Sequence, residues 1–180
     1  LELLAELPAR APAVAGPYNC GTLLATRSGR LLGIDLALIE NYYSGLDWKI
    51  PEALYDRLAE KLDLLIVSHG HWDHCWIELI ELLLSRGKPV FAVAGMQTDL
   101  PKRVPPGCRF IRDGEQFPWE GVHLTFTFAP HAYDNGRHIP LMTTRIRDGS
   151  VSCLHTSDAD TTTGEGWSPL DDEAPDVALF

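Results

Sequence analysis

The sequence predicts an α/β (α+β) fold in which β-meanders and strand–helix crossovers share one core. Apolar runs separated by Gly-containing turns mark antiparallel hairpins, and short, wholly apolar runs followed by helical periodicity mark crossovers. Length agrees: 180 residues with 45% hydrophobic content make a single domain over residues 1–180, large enough to enclose a sizeable core.

The elements follow in chain order. Leu23–Ala25 and Leu31–Ile34 flank Ser28-Gly29, a hairpin signal, and residues 36–50 read as a loop containing Tyr42, Tyr43 and Trp48. Pro51 then opens a helix to about Lys61, with Leu54, Leu58 and Leu62 at helical spacing. Leu64–Val67 is a buried strand, followed by a loop and a helix from about Cys75 to Ser85 that Gly87 and Pro89 close. Val90–Val93 is a second buried strand, and Asp113-Gly114-Glu115 is a turn between short strands around Phe110 and Phe117. Val122–Phe128 alternates apolar and polar residues, as a strand with one wet face does. Thr143–Ile146 and Val151–Leu154 flank Asp148-Gly149, the strongest hairpin turn in the chain. Residues 159–176 are polar and turn-rich, and Asp176–Phe180 reads as a buried strand. The chain starts without Met and stops inside that strand, so it is expected to be trimmed or incomplete at both ends.

Composition removes several classes of function. Fifteen Lys plus Arg against 25 Asp plus Glu give a formal charge of −10, the wrong sign for general nucleic-acid binding, which depends on neutralising phosphates. No apolar run approaches the ~20 residues of a membrane span, and residues 1–14 lack the layout of a secretory signal. Cys20, Cys75, Cys108 and Cys153 form no CxxC pair and read as free thiols in a reducing, cytoplasmic setting. The expected partner is a small-molecule substrate, with neither nucleic acid nor membrane involved.

Chemistry concentrates in Ser68-His69-Gly70-His71-Trp72-Asp73-His74-Cys75, between a buried strand and a helix. Alternate residues of an extended segment point the same way, so His69 and His71 can grip one ion, while Asp73 and His74 can face a second where the chain turns. Imidazole and carboxylate suit first-row metals, with Zn2+ the default and Mn2+ or Fe2+ the other ions that such a set admits. Further ligands must come from elsewhere, and His131 and Asp158 stand just past strands.

His69-Gly70-His71-Trp72-Asp73-His74 resembles the H-x-H-x-D-H motif of the metallo-β-lactamase-fold hydrolases. The resemblance extends along the chain: Gly33-Ile34-Asp35 is similar to the family's early strand ending in Asp, and Asp113-Gly114-Glu115 to its "dGe" turn. Ala129-Pro130-His131 is similar to its third metal-binding motif, and Thr156-Ser157-Asp158 to its Gly-Asp, with Ser157 in the place of Gly. The resemblance implies a four-layer αβ/βα sandwich. It implies one metal on His69, His71 and His131 and a second on Asp73, His74 and Asp158, with Asp158 reaching both. The family's final His, from a later loop, has no counterpart within the 180 residues. Its Gly-rich helix start is replaced by Cys75-Trp76-Ile77, expected to narrow the site floor. The wording around Ala129-Pro130-His131 most resembles the branch related to ascorbate-phosphate lactonases and lipid phosphodiesterases.

The expected function is a metal-dependent hydrolase in which a zinc-bound hydroxide cleaves a small ester, lactone or phosphodiester. Lowering the pKa of water from about 15.7 to about 7 corresponds to roughly 12 kcal/mol of hydroxide stabilisation. Asp73 is the expected catalytic residue, orienting the nucleophile and shuttling its proton; a helix N-cap is its other reading. Asp35 reads either as a group orienting a ligand His or as a strand-end turn residue. His155 reads as a core His, His123 as a surface one, and His138 as the rival of His131. Tyr42, Tyr43, Trp48 and Trp72 form a substrate wall or ordinary packing, Cys75 is a packed thiol, and Asp160 and Glu165 are loop acids. Two other functions compete: a mononuclear iron oxygenase of the same fold using His69, His71 and an acid, and a non-catalytic binding member.

Overall fold

A computed structural model describes residues 13–16, 20–37, 51–96, 104–131, 139–159 and 174–179. Its described strands form two mixed sheets. The six-stranded sheet runs in sequence order: β1 (Ala13–Ala15), β2 (Thr22–Ala25), β3 (Leu31–Ile34), β4 (Leu64–Val67), β5 (Val90–Val93) and β6 (Arg109–Ile111). β1, β2 and β3 are antiparallel neighbours, and β3 to β6 are parallel. The five-stranded sheet has β7 (Gln116–Trp119), β8 (Val122–Ala129), β9 (Leu141–Asp148) and β10 (Val151–His155) as an antiparallel meander. β11 (Val177–Leu179) adds to it parallel to β10.

The parallel strands follow their composition. β4 and β5 are runs of apolar residues, each 3% exposed or less, as strands covered on both faces must be. Helices α1 (Glu52–Lys61) and α2 (Ile77–Ser85) make the crossovers and bury Leu58 and then Leu79, Ile80 and Leu83. Neither helix has a side-chain N-cap, so the buried stripe, at about 1.5–3 kcal/mol per large aliphatic side chain, holds them. The sheets meet through Phe91, whose ring lies 5.2 Å from Phe117 and 6.1 Å from Phe126.

Several expectations shift. The helix after the His-rich segment begins at Ile77 rather than Cys75, because residues 72–74 form a turn in which the Cys75 amide donates to the His71 carbonyl at 2.9 Å. Trp76 packs edge-on against Tyr55 of α1 at 4.3 Å and so belongs to the helix layer. The Asp113-Gly114-Glu115 turn lies between two short strands, as expected, and those strands belong to different sheets. The terminal strand is a sheet edge and not buried: Val177 is 37% exposed, since β11 pairs only with β10. β1 has no signal in the sequence analysis, being a three-residue edge strand without alternation. Both described helices belong to crossovers of the six-stranded sheet; no helix on the other sheet lies among the described residues.

Strand direction places the chemistry. β3 and β4 are parallel, so Asp35 and His69 leave the same sheet edge. β8 and β10 both run antiparallel to β9, so His131 and Asp158 also leave a common edge. The Met142 amide donates to the Ser68 carbonyl at 2.9 Å and ties the two edges together.

Candidate metal centre

Four residues from three loops converge: His69, His71, His131 and Asp158 present ligand atoms that all lie within 4.8 Å of one another. His71 Nδ1 is 3.0 Å from His69 Nε2 and 3.1 Å from His131 Nε2. Bonds of about 2.1 Å place ligand nitrogens about 3.0 Å apart in an octahedron and about 3.4 Å apart in a tetrahedron. The observed separations lie in that range.

The outer hydrogen bonds decide which nitrogens carry lone pairs. His131 Nδ1 lies 3.0 Å from the Asp158 backbone carbonyl, which can only accept, so Nδ1 is the protonated nitrogen and Nε2 the free one. Ser68 Oγ donates to Asp35 Oδ2 at 2.6 Å and so accepts at 2.9 Å from His69 Nδ1, leaving His69 Nε2 free as well. His71 Nδ1 can share a proton with only one of these nitrogens. Three imidazole lone pairs aimed at one place fit a cation.

His74 forms a second focus. Its side chain is fully buried, and Nδ1 is 3.0 Å from Asp35 Oδ2. Its Nε2 is 3.2 Å from Asp158 Oδ2, out of line for a hydrogen bond, and is a buried polar atom without a partner. Asp158 Oδ2 also stands 3.8 Å from His69 Nε2, so this carboxylate lies between the two foci. Asp73 Oδ2 lies 3.9 Å from His74 Nε2, on the second side. Cys20, in the turn before β2, brings its sulfur within 4.8 Å of His74 and Asp158. Cys20 stands far upstream, with no spacing along the chain to tie it to the motif.

Charge follows this layout. Burial opposes a charge on His74, but the Asp158 and Asp35 carboxylates outweigh it and hold its pKa up to about 12. Burial and the neighbouring His74 push His69 down to about 3. Burial, then His71, lowers His131 too. Positive charge is therefore favoured between Asp35, His74 and Asp158, and imidazolium is disfavoured at His69 and His131. Neutral imidazoles beside a carboxylate are what a divalent ion needs.

Asp35 organises the site without facing it. Oδ1 accepts from the Ser68 amide at 2.7 Å; Oδ2 accepts from Ser68 Oγ, from Ser157 Oγ at 3.0 Å and from His74 Nδ1. Four donors fill a carboxylate's acceptor sites, so the grouping of Asp35 with His69 and His74 is a support rather than a cation site. Burial alone raises its pKa, but the His74 hydrogen bond and charge bring it to about 2.

The remaining candidates have definite places. His155 is buried, with its pKa lowered by burial, and His123 is exposed on β8. Cys75 is buried and Trp72 is 51% exposed beside the motif. Tyr42, Tyr43, Trp48, His138, Asp160 and Glu165 lie outside the described residues.

The sequence pattern of the beta-lactamase superfamily domain matches residues 44–180. The chain belongs to this superfamily. A UPF0173 metal-dependent hydrolase from Polaromonas sp. (strain JS666) is 30% identical over 115 residues, 61% of this chain and 39% of that relative. The chain thus spans well under half the length of that relative. Among solved structures, the isothiocyanate hydrolase from Delia radicum gut bacteria has a TM-score of 0.66 at 14% identity, covering 92% of this chain and 69% of that one. CmlA, a diiron beta-hydroxylase from Streptomyces venezuelae, has a TM-score of 0.61 at 17% identity, covering 84% of this chain and 30% of that one. At these identities the likeness is one of fold. The beta-lactamase superfamily placement and the two-sheet architecture agree.

Proposed function

We propose that this chain is a metal-dependent hydrolase of a small ester, lactone or phosphodiester. In this reading His69, His71 and His131 hold one Zn2+, Asp73, His74 and Asp158 hold a second, and Asp158 serves both. The observation that carries it is the convergence of His69 Nε2, His71 Nδ1 and His131 Nε2 beside Asp158. The buried, unpartnered Nε2 of His74 supports the second position.

When bound, zinc polarises a scissile carbonyl or phosphoryl group and acidifies a water molecule. The protein's part is placement. Asp73, with its side chain 17% exposed, stands at the second focus, where Oδ2 orients the attacking water and takes its proton. The Asp158 side chain is 42% exposed, so the carboxylate shared by the two positions is reachable by a substrate. Trp72 offers an apolar surface at the rim for a substrate with a hydrophobic portion. The formal charge of −10 favours a small substrate over nucleic acid. The free thiols favour a reducing, cytoplasmic setting; no described helix is long and apolar enough to cross a membrane.

A second reading, a mononuclear iron oxygenase of the same fold, uses His69, His71 and a carboxylate, a ligand set that suits iron as well as zinc. Metal analysis of protein grown without added zinc, paired with assays of nitrophenyl esters, lactones and phosphodiesters and of dioxygen uptake, separates the two. Hydrolysis lost on chelation and restored by Zn2+ supports the hydrolase. Iron with dioxygen uptake and no hydrolysis replaces it with the oxygenase. A chain that neither carries nor binds metal leaves only a non-catalytic binding member.

A further inference from the structure

We infer that Cys20 supplies a thiolate to the second metal position, joining His74 and Asp158 in a sulfur–nitrogen–oxygen ligand set. The inference rests on the metal-centre reading above and adds a donor from an element that the H-x-H-x-D-H motif does not contain.

Two independent observations carry it. Cys20 Sγ, a ring nitrogen of His74 and a carboxylate oxygen of Asp158 lie within 4.8 Å of one another. The His74 side chain, with no exposed surface, leaves Nε2 without a hydrogen-bond partner while Asp35 occupies Nδ1. The open nitrogen, the carboxylate and the sulfur therefore face a shared position. Bonds of about 2.3 Å to sulfur and about 2.1 Å to nitrogen set such donors about 3.6 Å apart around a tetrahedral ion, within the observed limit.

The location of Cys20 suits a ligand. It stands in the turn leading into β2, whose residues are all buried, and its backbone is engaged by the ring of His155. Its side chain contacts His74. Cys108 and Cys153 differ: neither belongs to a metal-holding group among the described residues, and burial raises both thiols to about 11. On binding, the Cys20 thiol and His74 Nε2 each give a proton to solvent, and the freed sulfur and nitrogen lone pairs go to the ion. A thiolate is a soft donor, so the second position selects zinc over manganese.

Titration of the metal-free 180-residue chain with Co2+, followed by absorption, tests this directly. The first equivalent gives ligand-field bands without sulfur character. The second adds a near-ultraviolet thiolate-to-cobalt charge-transfer band in the wild type and in Cys75→Ala. Cys20→Ala and Cys20→Ser keep the first bands and the circular-dichroism spectrum, lose the charge-transfer band, and bind the second equivalent at least about tenfold more weakly. Uptake of two equivalents without a sulfur band, or a band that persists in Cys20→Ala, overturns the inference and leaves the metal centre intact. Failure of the wild type to bind cobalt overturns both.

Discussion

Ser157 holds a left-handed backbone conformation, φ 54°, and its hydroxyl donates to Asp35 Oδ2 at 3.0 Å across two sheets. The resemblance places Gly at this position, and the backbone angle shows why Gly fits. Serine replaces conformational freedom with a hydrogen bond. The same hydroxyl stands 2.8 Å from Ser68 Oγ and 3.4 Å from His74 Nδ1, so a residue just before Asp158 helps to orient groups on both sides of the site.

Two substitutions separate these effects. Ser157→Ala keeps the strained angle and loses the hydrogen bond to a charged group, so it is expected to destabilise the metal-free protein by about 1.5–3 kcal/mol. Ser157→Gly loses the same bond but relieves about 1 kcal/mol of left-handed strain, and should lie between Ala and wild type. Urea unfolding of the three proteins checks the order. Glycine as the least stable of the three would remove the strain argument.

Asp35 makes a sharper case because it touches no proposed substrate or metal. Asparagine keeps one acceptor but turns an N–H group toward donors such as His74 Nδ1. Asp35→Asn should therefore weaken metal binding by about 10–100-fold with every proposed ligand still present. Metal-free protein should lose about 1.5–3 kcal/mol, since the buried imidazolium of His74 loses the hydrogen bond to one carboxylate and keeps only Asp158 beside it. Competition with a chromophoric chelator reads the first effect; equal affinities for both proteins would reduce Asp35 to a strand-end residue.

How far the sequence was legible depended on where each signal resides. β4 and β5 are legible to the residue because buried parallel strands are continuous apolar runs. β1 is not, since Ala13-Val14-Ala15 is stabilised by pairing with β2 rather than by any pattern of its own. β11 misled because an apolar composition marks a strand but not which side of it is covered. Within the site, the clustered His69, His71 and His74 stand out through local spacing. Cys20 and the hydroxyls of Ser68 and Ser157 join only through tertiary convergence, which spacing along one chain does not encode.

Two histidines provide a paired control. His71 Nδ1 lies within 3.1 Å of two other imidazole nitrogens, whereas His123 is exposed on β8 opposite Arg147. His71→Ala should abolish hydrolysis and reduce bound metal, and His123→Ala should do neither. Metal content by elemental analysis and turnover of the same substrate are read side by side. Normal turnover by the first variant would refute the ligand assignment.

The final prediction concerns acid stability away from the metal site. Glu115, in the turn that joins the two sheets, accepts from the Arg112 amide at 3.0 Å and pairs with Arg109 at 2.6 Å. The Arg112 amide first, and then Arg109, hold its carboxyl below the usual range. With a folded pKa below the unfolded value of about 4.3, unfolding takes up protons in that window, so this contribution is complete above it and fades as pH falls through the folded pKa. Glu115→Gln should therefore cost stability at pH 7 and nothing once the wild-type carboxyl is protonated. Because the Arg109 side chain is 46% exposed, solvent screens its share, and the cost at pH 7 is about 1 kcal/mol or less. Salt should erode the Arg109 share and spare the amide hydrogen bond. Thermal unfolding of both proteins between pH 7 and pH 3, at low and high salt, tests each part; a gap that stays constant with pH would assign the effect to packing of the turn instead of to charge.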